Sequence, residues 1–170
     1  MSLLNRQSAI LLMAASTLAL GACKSTPDEL PPEPTPTPAP TATPAPSGPV
    51  PGSQEDFVAS VSSDRIFFDT DRYNVDSSDM ATLQSQAQWL QRYPNVRVTI
   101  EGHADERGTR EYNLALGERR ANAAKNYLVG LGIQAGRINV VSYGKERPVA
   151  MGSDEQSWAQ NRRAVTVTVQ

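Results

Sequence analysis

The sequence predicts an α/β fold, a two-layer sandwich of order β-α-β-α-β-α-β with a mixed sheet and its helices on one face. Three observations predict it. Apolar residues alternate with a period of two over 96–101 and 165–169, and they recur at helical spacing over 80–90 and 121–131. These segments take turns along the chain, separated by polar and glycine-containing stretches. The strict Val-Thr-Val-Thr-Val alternation of 165–169 reads as a closing strand with a polar outer face, so solvent covers the side of the sheet opposite the helices.

Each element has its own signal. Residues 64–69, Asp-Arg-Ile-Phe-Phe-Asp, make a short strand with an apolar centre. Met80, Leu83, Ala87 and Leu90 then share one helical face; Ser77 or Ser78 caps that helix and Pro94 marks its end. Val96, Val98 and Ile100 alternate with Arg97, Thr99 and Glu101, the pattern of a half-buried strand. A second helix carries Ala121, Ala124, Leu128 and Leu131 and stops at Gly130 and Gly132, and residues 138–143 form a third strand. Ser153 and Gln156 have capping-box spacing for a short helix through Trp158. Trp89 and Trp158 belong to the core or to a partner surface.

Composition divides the 170 residues into unequal parts. Eleven of the 13 prolines lie between Pro27 and Pro51, while residues 57–170 carry 14 basic and 13 acidic side chains. So balanced a charge offers no basic face for nucleic acid. One cysteine excludes an internal disulfide and one histidine excludes a multi-histidine metal centre. No cofactor is expected.

The first 22 residues read as a signal peptide. Arg6 precedes an uncharged run over 7–22 that is shorter than the ~20 apolar residues of a spanning helix and rich in small side chains. It ends in Leu20-Gly21-Ala22-Cys23, a sequence similar to the lipobox of bacterial lipoproteins. That similarity implies a diacylglycerol on the Cys23 thiol, whose two acyl chains suffice for stable anchoring. Lys24 stands where an aspartate commonly retains such proteins at the inner membrane, so an outer-membrane anchor facing the periplasm is implied. Residues 23–56 form a Pro/Thr/Ala-rich tether, too polar to fold and reaching roughly 100 Å if fully extended. The folded domain is placed at 57–170.

The stretch 101–121 concentrates charge between glycines directly after a strand, where α/β folds build sites. A helix beginning at Thr109 would place Gly117 in its interior, at a cost of ~1 kcal/mol. Starting the helix at Gly117 instead puts Arg119 and Arg120 in the first turn, beside free backbone N–H groups. This makes a site for a carboxylate, and Asp105 on the preceding loop suits an ammonium group. The same charges also read as simple ion pairs, Glu118 with Arg119 and Asp105 with Arg120.

Five stretches in order carry a resemblance. Phe67-Phe-Asp-Thr-Asp71, Gly102-His-Ala-Asp-Glu-Arg-Gly108, residues 112–121, Val141-Ser-Tyr-Gly-Lys-Glu-Arg-Pro148 and Asn161-Arg-Arg-Ala164 closely resemble the family of domains like the C-terminal half of outer-membrane protein A, in its lipid-anchored, peptidoglycan-associated branch. The match covers about 60–170 and agrees with the lipobox and tether. It implies non-covalent binding of the diaminopimelate residue in the stem peptide of peptidoglycan, with Asp105 as the acidic contact and Arg120 holding a carboxylate. Arg107 and Leu116 would line the pocket, with Phe68 and Asp69 facing it from the first strand. Thr70 departs from the pattern, since many relatives have an aromatic there. The resemblance also implies a place in the Tol–Pal system, with the periplasmic propeller TolB as a competing partner, and roles in envelope integrity and cell division.

Two other readings compete with it. A cell-wall hydrolase would use Glu101, Asp105 and Glu106 as paired carboxylates, but no apolar pocket is evident to raise an acid's pKa. A Ser–His–Asp site would need His103 as base, and no Gly-x-Ser-x-Gly elbow exists; His103 reads as a polar loop residue. The faint dinucleotide pattern of 130–136 follows a helix and reads as a helix stop plus a turn. A tethered protein-interaction module is the remaining alternative.

Overall fold

The computed structural model describes residues 48–169, and in them the expected alternation of strand and helix is present with one helix added in front. The expected signal peptide, Cys23 and the tether up to residue 47 lie outside the described residues. The added helix, α1 (Gln54–Ser60), takes up the last residues assigned to the tether. Ser53 caps it by accepting from the Asp56 N–H, and Asp56 in turn accepts from the Gly52 N–H and from the Trp89 indole. Phe57 packs edge-on to Trp89, with ring centroids 4.9 Å apart and both side chains fully buried. A helix of seven residues shows no periodicity in sequence; its stability comes from that tertiary contact.

The sheet contains β1 (Arg65–Phe67), β2 (Arg97–His103), β3 (Ile138–Gly144) and β4 (Arg163–Val169) in the order β1-β4-β2-β3. β2 and β3 are parallel, and β4 runs antiparallel to β1 and β2, so the sheet is mixed. Helices α2 (Ser77–Arg92) and α3 (Arg110–Gly130) supply the other side of a core containing Ile66, Leu83, Leu90, Ile100 and Leu128. Trp89 belongs wholly to that core, whereas Met80, expected on the same helix face, is exposed. A 3₁₀ turn (Ala135–Arg137) follows α3, and α4 (Glu155–Asn161) precedes β4.

Three local expectations are corrected. Asp76 and Asp154 cap α2 and α4 in place of the serines: each side chain accepts the N–H three residues on, and a carboxylate also complements the helix dipole. The polar face of β4 points inward. Thr166 and Thr168 are buried, and Thr166 Oγ1 meets Gln86 Oε1 of α2 at 2.8 Å, while Val165 and Val167 stand half-buried on the open face. Pairing with β2 sets this: Thr166 lies opposite Ile100 and Thr168 opposite Val98, both core residues.

The third correction moves the start of α3. Thr109 is the cap, its hydroxyl accepting from the Tyr112 N–H, so Gly117 sits inside the helix and Arg120 lies in its middle. Gly117 is there because α3 lies against the backbone of the sheet. A Cβ on Gly117 would come within 2.4 Å of Ser142 Oγ, and one on Gly102 of β2 within 1.8 Å of the Gly117 carbonyl oxygen. The contact of two glycines lets helix and strand approach, which offsets the helix-propensity cost.

Candidate functional site

The loop 104–109 between β2 and α3 is held by its carbonyls. Lys145 Nζ donates to the Glu106 and Gly108 oxygens at 3.1 and 2.7 Å, and Asn113 Nδ2 donates to the Arg107 oxygen at 2.6 Å. Gly108 turns the chain at φ +82°, a conformation that favours glycine. So fixed, the loop presents Asp105 with its carboxylate nine-tenths buried. Arg107 grips both oxygens, Nε to Oδ1 at 3.1 Å and an η-nitrogen to Oδ2 at 2.6 Å, and its backbone N–H donates to Oδ1 as well. The other face of that guanidinium lies 4.2 Å from the ring centre of Trp158 on α4. The indole N–H is fixed in turn by Glu106 Oε1 at 3.0 Å.

Two further arginines stand behind Asp105. Arg162 approaches Oδ2 at 3.5 Å while donating to the Phe68 carbonyl and to Glu155. Arg120 is fully buried and donates to three backbone carbonyls, those of Arg72, His103 and Asp69, at 2.9, 2.9 and 3.0 Å. It ties the β1–α2 connection to the end of β2. Of the five N–H donors on a guanidinium, two remain for another acceptor. Arg120 therefore meets no helix N-terminus, and the ion pair with Asp105 that the sequence also allowed is replaced by carbonyl contacts.

Four of the six predicted residues divide between two clefts, and Arg120 and Leu116 line neither. The first, about 250 Å³, is lined by Asp105 and Arg107 with Thr70, Asp71, Gly108 and Tyr112. Phe68 and Asp69 line a neighbouring cleft of about 330 Å³, together with Arg162. Leu116 is buried on the inner side of α3. Asp71 and Tyr112 were not singled out by the sequence reading, and the Tyr112 hydroxyl donates to Asp71 Oδ1 at 3.3 Å. Asp71 was the second acid of a quoted motif. What selects it is a backbone at φ +55°, the one non-glycine residue with positive φ among those described, which turns the chain into the first cleft beside Thr70.

The cleft mixes both signs of charge, and burial and hydrogen bonds set how each group titrates. Burial raises the Asp105 carboxyl, but the hydrogen bonds from Arg107 and Arg162 outweigh it and hold the group below the ordinary carboxylate range. Burial draws Arg120 down to about 10, still cationic at neutral pH. Glu106 is held low by hydrogen bonds from Ser153 and Trp158. His103 is not on the loop: it ends β2, buried, with neither ring nitrogen hydrogen-bonded. Burial, then Arg163, Arg147 and Arg65, press its pKa down to about 4, so it is neutral at pH 7 and a poor base. Two carboxylates facing one guanidinium, with two more guanidinium groups behind, suit a zwitterion.

Comparison with known proteins agrees with this fold. The model of the OmpA family matches residues 67–162, and the chain belongs to that family. It is 50% identical over 158 residues to the peptidoglycan-associated lipoprotein of Rhizobium meliloti (strain 1021), covering 93% of this chain and 86% of that one. The protein of the same name from Agrobacterium fabrum (strain C58) is 61% identical over 117 residues, 69% of this chain and 66% of the relative. Among solved structures, the peptidoglycan-associated lipoprotein from Burkholderia pseudomallei superposes with a TM-score of 0.62 at 47% identity, covering 66% of this chain and 93% of that one.

Proposed function

We propose that this chain is an outer-membrane lipoprotein that binds peptidoglycan without covalent chemistry, through the diaminopimelate residue of the stem peptide. The observation that carries the reading is the buried Asp105 carboxylate clamped by Arg107 at the wall of an open cleft. The free end of diaminopimelate is an amino acid head, one ammonium and one carboxylate. Asp105 and Asp71 take the ammonium; Arg107, released from Asp105, takes the carboxylate, with the buried Arg120 behind it adding positive charge but no contact. Catalysis fits poorly. A glycosidase needs one carboxylic acid with a raised pKa, whereas Asp105 and Glu106 are both held low.

Cys23 would carry the lipid and residues 24–47 most of the span from membrane to cell wall. The names of the relatives support lipid anchoring and peptidoglycan association. Reversible gripping of the wall lets the link release and re-form during growth and division. In the Tol–Pal system, TolB would be the competing protein partner. The test is calorimetric titration of residues 24–170 with a muropeptide containing diaminopimelate, beside one with lysine in its place. The lysine form lacks the extra carboxylate. Saturable binding of the first and at least tenfold weaker binding of the second is expected; equal binding would remove the arginines from the reading.

A further inference from the structure

The larger cleft, lined by Phe68 and Asp69, has no task in the proposed grip on diaminopimelate, yet it adjoins it. Arg162 lines this second cleft, and its guanidinium also reaches Asp105 of the first at 3.5 Å, so the two clefts meet at one buried side chain. Around it stand the Phe67 ring, 46% exposed, the carboxylates of Asp69 and Asp76, and the Gln160 amide of α4. An aromatic face with a few oxygen acceptors is the make-up of a site for a small polar ligand, held by its apolar ring face and oriented by its hydroxyls.

Charge decides which ligand. Asp69 and Asp76 bring two carboxyl groups to the cleft, while its one guanidinium, Arg162, is already matched by Asp105 and by Glu155 at 2.6 Å. A free carboxylate of the stem peptide is repelled there, and hydroxyl donors are welcome. A strand from a partner protein is also disfavoured. The N–H groups of Arg65 and Phe67, which β1 turns away from β4, are taken by Ser63 Oγ and Asp79 Oδ1 at 3.1 and 3.3 Å, so the sheet edge is closed to strand addition.

We infer that the cleft between Phe67, Asp76 and Gln160 is a subsite for the amino-sugar backbone of peptidoglycan, the neutral polyol attached to the stem peptide. The inference rests on the stem-peptide reading above. Phe67 stacks on the C–H face of one sugar ring, and Asp69, Asp76 and Gln160 accept from its hydroxyls. The chain would then hold the polymer at two points, peptide in one cleft and glycan in the other.

The test titrates residues 24–170 with two ligands, a disaccharide-peptide containing diaminopimelate and the same peptide without sugar. The disaccharide form is expected to bind about tenfold more tightly, the worth of one stacked ring and a hydrogen bond or two. Phe67→Ala should erase that advantage and leave the sugar-free peptide unchanged, since a half-exposed ring is no part of the core. Gln160→Ala should reduce the advantage in part. Equal affinities in the unaltered chain overturn the subsite while leaving the stem-peptide reading intact, and so does a Phe67→Ala loss shared by both ligands. Failure of both ligands to bind overturns both, whereas binding of the disaccharide form alone overturns the stem-peptide grip and leaves the sugar contact.

Discussion

The two arginines that the sequence assigned to one pocket are held in opposite ways. Arg120 is fully buried and spends its donors on the carbonyls of Arg72, His103 and Asp69, so it fastens three chain segments together. Arg107 is more than a third exposed and is held by one carboxylate and the face of one indole. The first is an interior strut with donors to spare, the second a rim group that can turn. A guanidinium suits both tasks because its planar fork reaches several acceptors at once and stays charged when buried. The difference lies in what surrounds it: carbonyls that cannot move away in one case, an exchangeable ion pair in the other.

The largest expected effect breaks the interior side. Arg120→Ala leaves three backbone carbonyls without their donor and a cavity in their midst, so urea unfolding should show a loss of about 3–5 kcal/mol. For this reason the variant cannot serve as a clean probe of binding. A loss below about 1 kcal/mol would show that the strut is dispensable.

The next effect concerns His103, whose carbonyl Arg120 holds and whose ring lies buried near three arginines. Its folded pKa, about 4, is below the unfolded value near 6.5. The unfolded chain therefore binds the proton first as pH falls, and stability drops between about pH 6.5 and 4 by up to about 3 kcal/mol. His103→Gln, which does not titrate, should flatten that part of the profile; an unchanged slope would place its origin elsewhere. The smallest effect on stability sharpens the contrast from the rim. Arg107→Ala should shift unfolding by about 1–2 kcal/mol, less than loss of the strut because Arg162 still faces the buried Asp105 carboxylate, while weakening muropeptide binding at least tenfold. A large loss of stability would make Arg107 a second strut.

The fold was legible wherever periodicity met burial. Val98 and Ile100, Leu83 and Leu90, and Ala121, Ala124 and Leu128 all face the core as their spacing requires. Failures came where a tertiary contact overrode a local rule. Gly117 looks like a helix boundary until the backbone of Gly102 is set against it. The threonines of β4 look solvent-facing until Gln86 is found beneath the sheet. At the site, Asp105 and Arg107 were legible because they share one charged loop. Asp71 was not, because its place depends on a positive φ that sequence does not display. Trp158 reads from sequence as either core or surface, and it is a platform for Arg107 because α4 lies beside the loop.

The central claim is that the Asp105 carboxylate is the ammonium contact of a cell-wall ligand. Asp105→Asn keeps the shape and one carbonyl oxygen for the Arg107 N–H while removing the charge. Calorimetry of this variant with the diaminopimelate muropeptide should show a loss of about 10- to 100-fold, the worth of a charge-assisted hydrogen bond, with thermal unfolding still cooperative. Unchanged affinity in the folded variant would contradict the account.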